Sequence, residues 1–309
     1  MKNLVDKIKK KDEVSLAKGI TLIESEKKSD LKYKIELLNY LKSVNNTMRI
    51  GVTGPPGVGK STFINQIGYY FLKKKHRVAV IAVDPSSATS KGSILGDKMR
   101  MHLLNNNKNA FVRPSPSKNK SSAIDFETLC SINLCELAEF DVILIETVGS
   151  GQLEYNISKI TDLLIYLDIA NTGDEIQAMK KGIMEIADII AINKSDILDK
   201  NEITAKKNGI KNILNIYERN TKIVATSSTQ GTGIGTIYDT ILDFFQINNN
   251  KILSNRKDQM IYWLEIELKT NFGNKNYEKL LLNNNHLKFL NSFKANPQIH
   301  KILEYISSF

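Results

Sequence analysis

An α/β fold with a mainly parallel sheet flanked by helices follows from three features of the sequence. Six short runs read as strands: Arg49–Thr53, Val78–Asp84, Val142–Glu146, Leu163–Ile169, Ile189–Asn193 and Lys222–Thr226. Most are nearly continuous apolar stretches, the texture of strands covered on both faces. Helical segments separate them, which predicts right-handed crossovers between parallel strands. Before the first strand, Leu31, Ile35, Leu38 and Leu41 recur at helical spacing, with Ser29 or Asp30 available as an N-cap. After about Ile247 the strand runs stop. Arg256–Phe272 places Met260, Trp263, Leu264 and Leu268 on one stripe. A last helix is expected with Asn296 as N-cap and Pro297 at its first position. The expected organisation is an N-terminal helical extension (1–46), a central domain (47–247) and a C-terminal helical region (248–309).

Composition narrows the function classes. The chain has 309 residues, 41% of them hydrophobic and 25% charged, which is ordinary for a globular protein and wrong for a disordered one. No apolar run approaches the roughly 18 residues that a membrane helix needs, and Met1–Asp12 lacks a secretory apolar segment. Cys130 and Cys135 are too few for a disulfide framework, so a reducing cytoplasm is expected. The net charge of +10 comes from lysines scattered along the chain. Arginine is confined to Arg49, Arg77, Arg100, Arg113, Arg219 and Arg256, so no nucleic-acid partner is expected. The asparagine runs Asn105–Asn107, Asn248–Asn250 and Asn283–Asn285 read as solvated loops.

Gly54-Pro55-Pro56-Gly57-Val58-Gly59-Lys60-Ser61 fits the phosphate-loop pattern G-x-x-x-x-G-K-[ST]. A strand precedes it and a helical run, Thr62–Leu72, follows, which is the context the motif requires. Glycines let the backbone N–H groups close around phosphate oxygens, and the helix adds the positive end of its dipole. Lys60 supplies a point charge to the β- and γ-phosphates, and Ser61 offers a hydroxyl to Mg²⁺. Mg²⁺ also wants a carboxylate nearby. Asp84 and Glu146 both end strand candidates, and ligands of open α/β sheets bind outside those ends. Gly149 follows Glu146 in the same loop, where its N–H can approach a γ-phosphate. Ser150–Glu154 is therefore a candidate switch, and Asp97 is a further candidate metal ligand.

Asn193-Lys194-Ser195-Asp196 follows the fifth strand run. A carboxylate only accepts, so Asp196 can take both the ring N–H and the exocyclic amine of guanine. Adenine offers no donor at that ring nitrogen, and such a site discriminates by roughly 10⁴ or more. Asn193 can tie this loop to the phosphate loop, and the Lys194 stem can lie over the base. Thr226-Ser227-Ser228 is suited to give a backbone N–H to the guanine carbonyl. The chemistry implied is in-line attack of water on the γ-phosphate of GTP, giving GDP. Lys60 and Glu146 are the candidate catalytic residues, and Gln152 is a candidate for positioning the water.

With these motifs in hand, the chain resembles the methylmalonyl-CoA mutase-associated GTPases, the MeaB/MMAA/ArgK group. The likeness rests on Gly51–Thr62, Val83–Ser87, Gly92–Lys98, Arg113–Ser117, Asp141–Gly149, Gly173–Glu175, Lys180–Ile183 and Asn193–Asp196. The resemblance implies a homodimer with a C-terminal dimerisation arm. It places Asp84, Asp97 and Glu146 around the metal, and Ser227, Ser228 and Thr229 with Asp196 around guanine. It further implies a chaperone that gates adenosylcobalamin loading and protects a methylmalonyl-CoA-type mutase, with Asn171–Lys181 as an additional switch. Lys91, Ser150 and Leu153 stand where the family usually has Gly, Val and Ser. Three other readings compete. One is a GTPase metallochaperone, which would need a Cys/His cluster. The others are a protein kinase linked to amino-acid transport and a nucleotide-gated scaffold with negligible turnover. If Asp196 reads the base, Asp196→Asn moves preference from GTP toward xanthosine triphosphate, measured as the ratio of the two dissociation constants.

Overall fold

The computed structural model describes residues 1–41, 46–84, 101–116, 124–147, 154–169 and 181–308. They divide into two compact units. One comprises Thr47–Asp125 and Phe140–Asn248; the other comprises Met1–Asn46, Phe126–Glu139 and Asn249–Phe309.

The first unit is built on a parallel sheet. Its strands are β1 (Met48–Thr53), β2 (Val78–Asp84), β3 (Ala110–Pro116), β4 (Val142–Thr147), β5 (Leu163–Ile169), β6 (Ile189–Asn193) and β7 (Lys222–Ala225). Their spatial order is β3-β2-β4-β1-β5-β6-β7, and every neighbouring pair runs parallel. The core packs Ile50, Val52, Val80, Leu144, Ile165 and Leu167 of the sheet against Phe63, Ile64, Ile67 and Phe71 of one helix. β1 is central, with β4 on one side and β5 on the other. The chain visits β2, β3 and β4 before crossing to β5, so its connections diverge at the end of β1, where an open parallel sheet forms its ligand crevice.

The sequence expected six of these strands within a residue of their observed limits. β3 was not among them, because its Arg113-Pro114-Ser115-Pro116 lacks the donors and the apolar run of a central strand. Among the described residues it pairs only with β2, at the sheet edge, where prolines are tolerated.

In the second unit, α1 (Lys2–Lys9), α2 (Glu13–Glu24) and α3 (Leu31–Leu38) bury Val5, Ile8, Leu16, Ile20, Leu37 and Leu38. Asp30 stands at the N-cap position of α3, but its side chain makes no capping bond there and instead accepts from the Ser25 hydroxyl. In chain order the helices continue with α4 (Lys60–Lys73), α5 (His102–Asn105), α6 (Phe126–Leu137), α7 (Glu154–Ile157), α8 (Lys181–Ile186) and α9 (Lys200–Ile216). Cys130 and Cys135 are free, buried thiols on α6. The unit boundary at residue 248 falls within the 39-residue α10 (Ile234–Phe272). Asn248–Asn250 therefore lie in a helix, not in the loop expected of them. Asparagine costs a helix only a fraction of a kcal/mol per residue, and neighbouring turns outweigh it.

After α11 (Asn274–Leu280), the asparagine at Asn283 caps α12 (Asn284–Ala295) by accepting from the Asn285 and His286 amides. The final helix, α13 (Ile299–Ser307), begins later than expected, with Gln298 at its N-cap; Asn296 instead closes α12. α9 begins on a capping box. The Asp199 carboxylate accepts from the Glu202 amide at 2.8 Å, and the Glu202 carboxylate accepts from the Asp199 amide at 2.9 Å. Asp199→Ala is expected to lower the unfolding free energy by about 1 kcal/mol, read from urea denaturation.

Candidate functional site: a phosphate loop joined to a base-reading loop

The loop after β1 turns into α4 through backbone that only glycine fits. Gly54 has φ 150°, and a Cβ there would lie 2.4 Å from the Leu167 carbonyl oxygen on β5. Gly59 has φ 94° and would bring a Cβ within 2.9 Å of Asn193 Nδ2. The loop is thus pressed between two neighbouring segments, and the Lys60–Lys73 helix starts directly behind it. Lys60 Nζ folds back on the loop, donating to the Gly54 carbonyl at 2.9 Å and the Pro55 carbonyl at 3.2 Å. Pro56 and Gly57 are exposed at its tip, and Val58 is buried beneath it.

Ser61 Oγ donates to Glu146 Oε1 at 2.7 Å. Glu146 sits on β4, whose ladder with β2 matches Ala82 to Glu146 and Val83 to Thr147. Asp84 is the residue that ends β2. The strand ends carrying Asp84 and Glu146 therefore share one edge of the sheet. Asp97, Gly149, Ser150, Gln152 and Leu153 lie outside the described residues, as do Lys91 and all of the expected additional switch but Lys181, whose side chain also lies outside them.

The candidate base-reading loop is joined to the phosphate loop through Asn193, which is 1% exposed. Its Nδ2 donates to the Val58 carbonyl at 2.8 Å. Its Oδ1 accepts from the Ser228 amide at 3.1 Å, the Ser228 hydroxyl at 2.8 Å and the Thr226 hydroxyl at 3.3 Å. One amide side chain thereby holds β6, the loop after β7 and the phosphate loop together. A second tie, from the Ser195 amide to the Thr226 carbonyl at 3.0 Å, keeps the two base-side loops parallel.

Asp196 is exposed and held by hydroxyls. The Ser227 hydroxyl keeps its carboxyl below the usual carboxylate range, and Thr229 Oγ1 donates to Asp196 Oδ2 at 3.4 Å. The Ser227 and Thr229 hydroxyls are themselves 3.0 Å apart. Because that depression adds to an already acidic group, the carboxylate is ionised throughout the neutral range. Lys194 reaches its position through left-handed backbone, φ 60°. A pocket of about 240 Å³ opens here, lined by Gly59, Thr62, Asn193, Lys194, Asp196, Ile197, Ser228 and Thr229. Ile197 was missed by the sequence reading. It is an aliphatic residue left exposed on a polar turn, which is the only signal that could have pointed to it.

A family model described as methylmalonyl Co-A mutase-associated GTPase MeaB matches residues 16–279. The chain belongs to this family. It is a P-loop GTPase. A probable GTPase of Mycobacterium tuberculosis is 38% identical over 260 residues, spanning 82% of this chain and 77% of that protein. GTPase ArgK of Escherichia coli is 36% identical over 268 residues, spanning 84% and 81%. The crystal structure of a LAO/AO transport system kinase superposes with a TM-score of 0.73 at 29% identity, covering 99% of this chain and 96% of that one. Asn193→Ala breaks the tie between the two loops and is expected to cost about 2–3 kcal/mol of stability in urea unfolding, since buried backbone groups at Val58 and Ser228 lose their partner.

Proposed function

We propose that this GTPase binds GTP and GDP with Mg²⁺ in the groove between the two loops and serves an adenosylcobalamin-dependent methylmalonyl-CoA-type mutase. The observation that carries the nucleotide part is the Asn193 tie, which holds a phosphate loop and an Asp196 pocket in one unit. Asp196 then takes the two guanine donors, and the Ser228 and Thr229 segment faces the rest of the purine. The Lys194 stem covers the base. Gly54 to Thr62 hold the phosphates through backbone N–H groups, with the start of α4 behind them.

The donor set suits a hard divalent cation. Ser61 Oγ and Glu146 Oε1 are oxygens already within 2.7 Å of one another, on the edge where Asp84 also ends its strand. Ser61, with Asp84, Asp97 and Glu146, would hold Mg²⁺, which when bound neutralises charge on the phosphate oxygens. Lys60 does the chain's own electrostatic work. Its ammonium, which rests on the Gly54 and Pro55 carbonyls, is positioned to move to the phosphates and stabilise negative charge as water attacks. Gly149 and Gln152 complete the γ-phosphate side in this reading.

The mutase role rests on the family, described as mutase-associated. The reading includes a homodimer in the cytoplasm, gating cofactor loading and protecting the mutase. Leu281 and Leu282, 38% and 84% exposed between α11 and α12, leave apolar surface that a second copy would cover. Among the described residues no helix is long and apolar enough to cross a membrane. Calorimetry is expected to give GDP binding with Mg²⁺ and no comparable ADP binding; equal affinities would remove the guanine pocket. Co-purification with cobalamin-dependent mutases is expected to depend on whether GDP or a non-hydrolysable GTP analogue is present. Failure to retain any of them in either state would leave the GTPase without the escort role. Labelled phosphate from GTP is expected as free phosphate; label on protein would favour the kinase reading.

A further inference from the structure

α9 buries three residues on one face, Lys206, Ile210 and Leu214, spaced by four. The first is a lysine at a core position. Its Nζ lies 3.0 Å from Asp168 Oδ2, with side chains 5% and 4% exposed. A buried ion pair is poor evidence of added stability, because an apolar pair of the same volume packs there at least as well. Its location suggests another use.

We propose that Asp168 and Lys206 are a positioning pair for guanine recognition, fixing the base-reading loop against the phosphate loop. The inference rests on the reading of the Asp196 pocket given above. Asp168 occupies the C-terminal end of β5, and its ladder partner on β6 is Ile192; the next pair is Ile169 with Asn193. Its other oxygen, Oδ1, accepts from the Ile169 amide at 2.8 Å, so the carboxylate is oriented by its own strand. The residue before it, Leu167, is the one whose carbonyl backs Gly54 in the phosphate loop. At the other end, Lys206 lies on the helix that starts at Lys200, just after Asp196. The pair therefore anchors α9, and with it the turn carrying Asp196, to the strand that supports the phosphate loop. Separating two full charges in a dry site costs far more than shifting one aliphatic side chain past another, so the pair fixes register where an aliphatic pair would slide. Neither residue lines the pocket, so both act through Asp196 and Asn193 rather than on the nucleotide.

The test compares GDP with inosine diphosphate, which lacks the exocyclic amine that Asp196 accepts from. The full-length protein is titrated with each by calorimetry in Mg²⁺, and its melting temperature is recorded. Asp168→Asn alone leaves a buried ammonium facing a neutral amide and is expected to melt about 10 °C lower. The double variant Asp168→Leu with Lys206→Met replaces both charges by apolar groups and is expected to melt within a few degrees of the parent. Its preference for GDP over inosine diphosphate is expected to fall at least about tenfold, because the carboxylate is no longer held in register. Asp168→Glu keeps the charges but displaces them by one methylene, and is expected to lose part of the preference while remaining folded. A parent-like preference in the folded double variant, or in Asp168→Glu should the double variant not fold, overturns the proposal and leaves the pair a packing feature. A parent protein that does not distinguish the two nucleotides overturns the guanine reading itself, and the pair's role with it.

Discussion

The candidate site depends on one saturated amide. Asn193 is buried to 1% exposure, where an unmatched donor or acceptor is costly, and its surroundings meet both ends of the group. The carbonyl of Val58 accepts on one side; two hydroxyls and an amide donate on the other. That asymmetry also settles which end is nitrogen, since only Nδ2 can donate to Val58 and only Oδ1 can accept from the Ser228 amide. The separation between phosphate end and base end is then set before any nucleotide arrives.

The sheet explains why such a short side chain can do this. β1, β5 and β6 are consecutive in space, so the loop after β1 and the loop after β6 emerge from one edge with a single strand between them. The Leu167 carbonyl of that intervening strand presses on Gly54, and Asn193 comes close to Gly59. Side chains at either glycine would push the loops apart. On the opposite flank β4 brings Glu146 to Ser61 across the same edge. In the proposed reading the strand order thus sorts the chemistry, with the oxygens that would hold Mg²⁺ toward β4 and base recognition toward β6.

Much of this was legible because the signals are local. Six strands announce themselves by short, mostly near-continuous apolar runs, and both loop motifs are contiguous in sequence and tied to strand ends. β3 escaped because Pro114 and Pro116 contradict a central strand, and edge placement is a tertiary property. Asn248–Asn250 read as a solvated loop because asparagine disfavours helix locally, and the 39-residue helix around them overrides that preference. Asn296-Pro297 carries the ordinary signature of a helix start, yet the chain uses Gln298 and spends Asn296 on ending the previous helix. In the site, the resemblance already grouped Ser227 and Thr229 with Asp196, but the pairing of Asp168 with Lys206 joins two distant elements that no periodicity or motif marks, so only the fold reveals it.

The two polar residues of the base-reading motif work in opposite ways. Asn193 is desolvated when the protein folds, and its hydrogen bonds are complete without ligand. Asp196 is exposed in the free protein, so its charge costs folding nothing, and the Ser227 hydroxyl only orients it and favours ionisation. In the proposed reading its desolvation comes when a purine covers the pocket. At that moment the carboxylate needs two donors, guanine supplies them, and adenine leaves it facing a lone pair. Selectivity therefore arises in the binding step, while the geometry that makes it effective is set in folding. A pocket with Asp196 already buried would give up that separation, because the unliganded protein would have to carry an uncompensated charge.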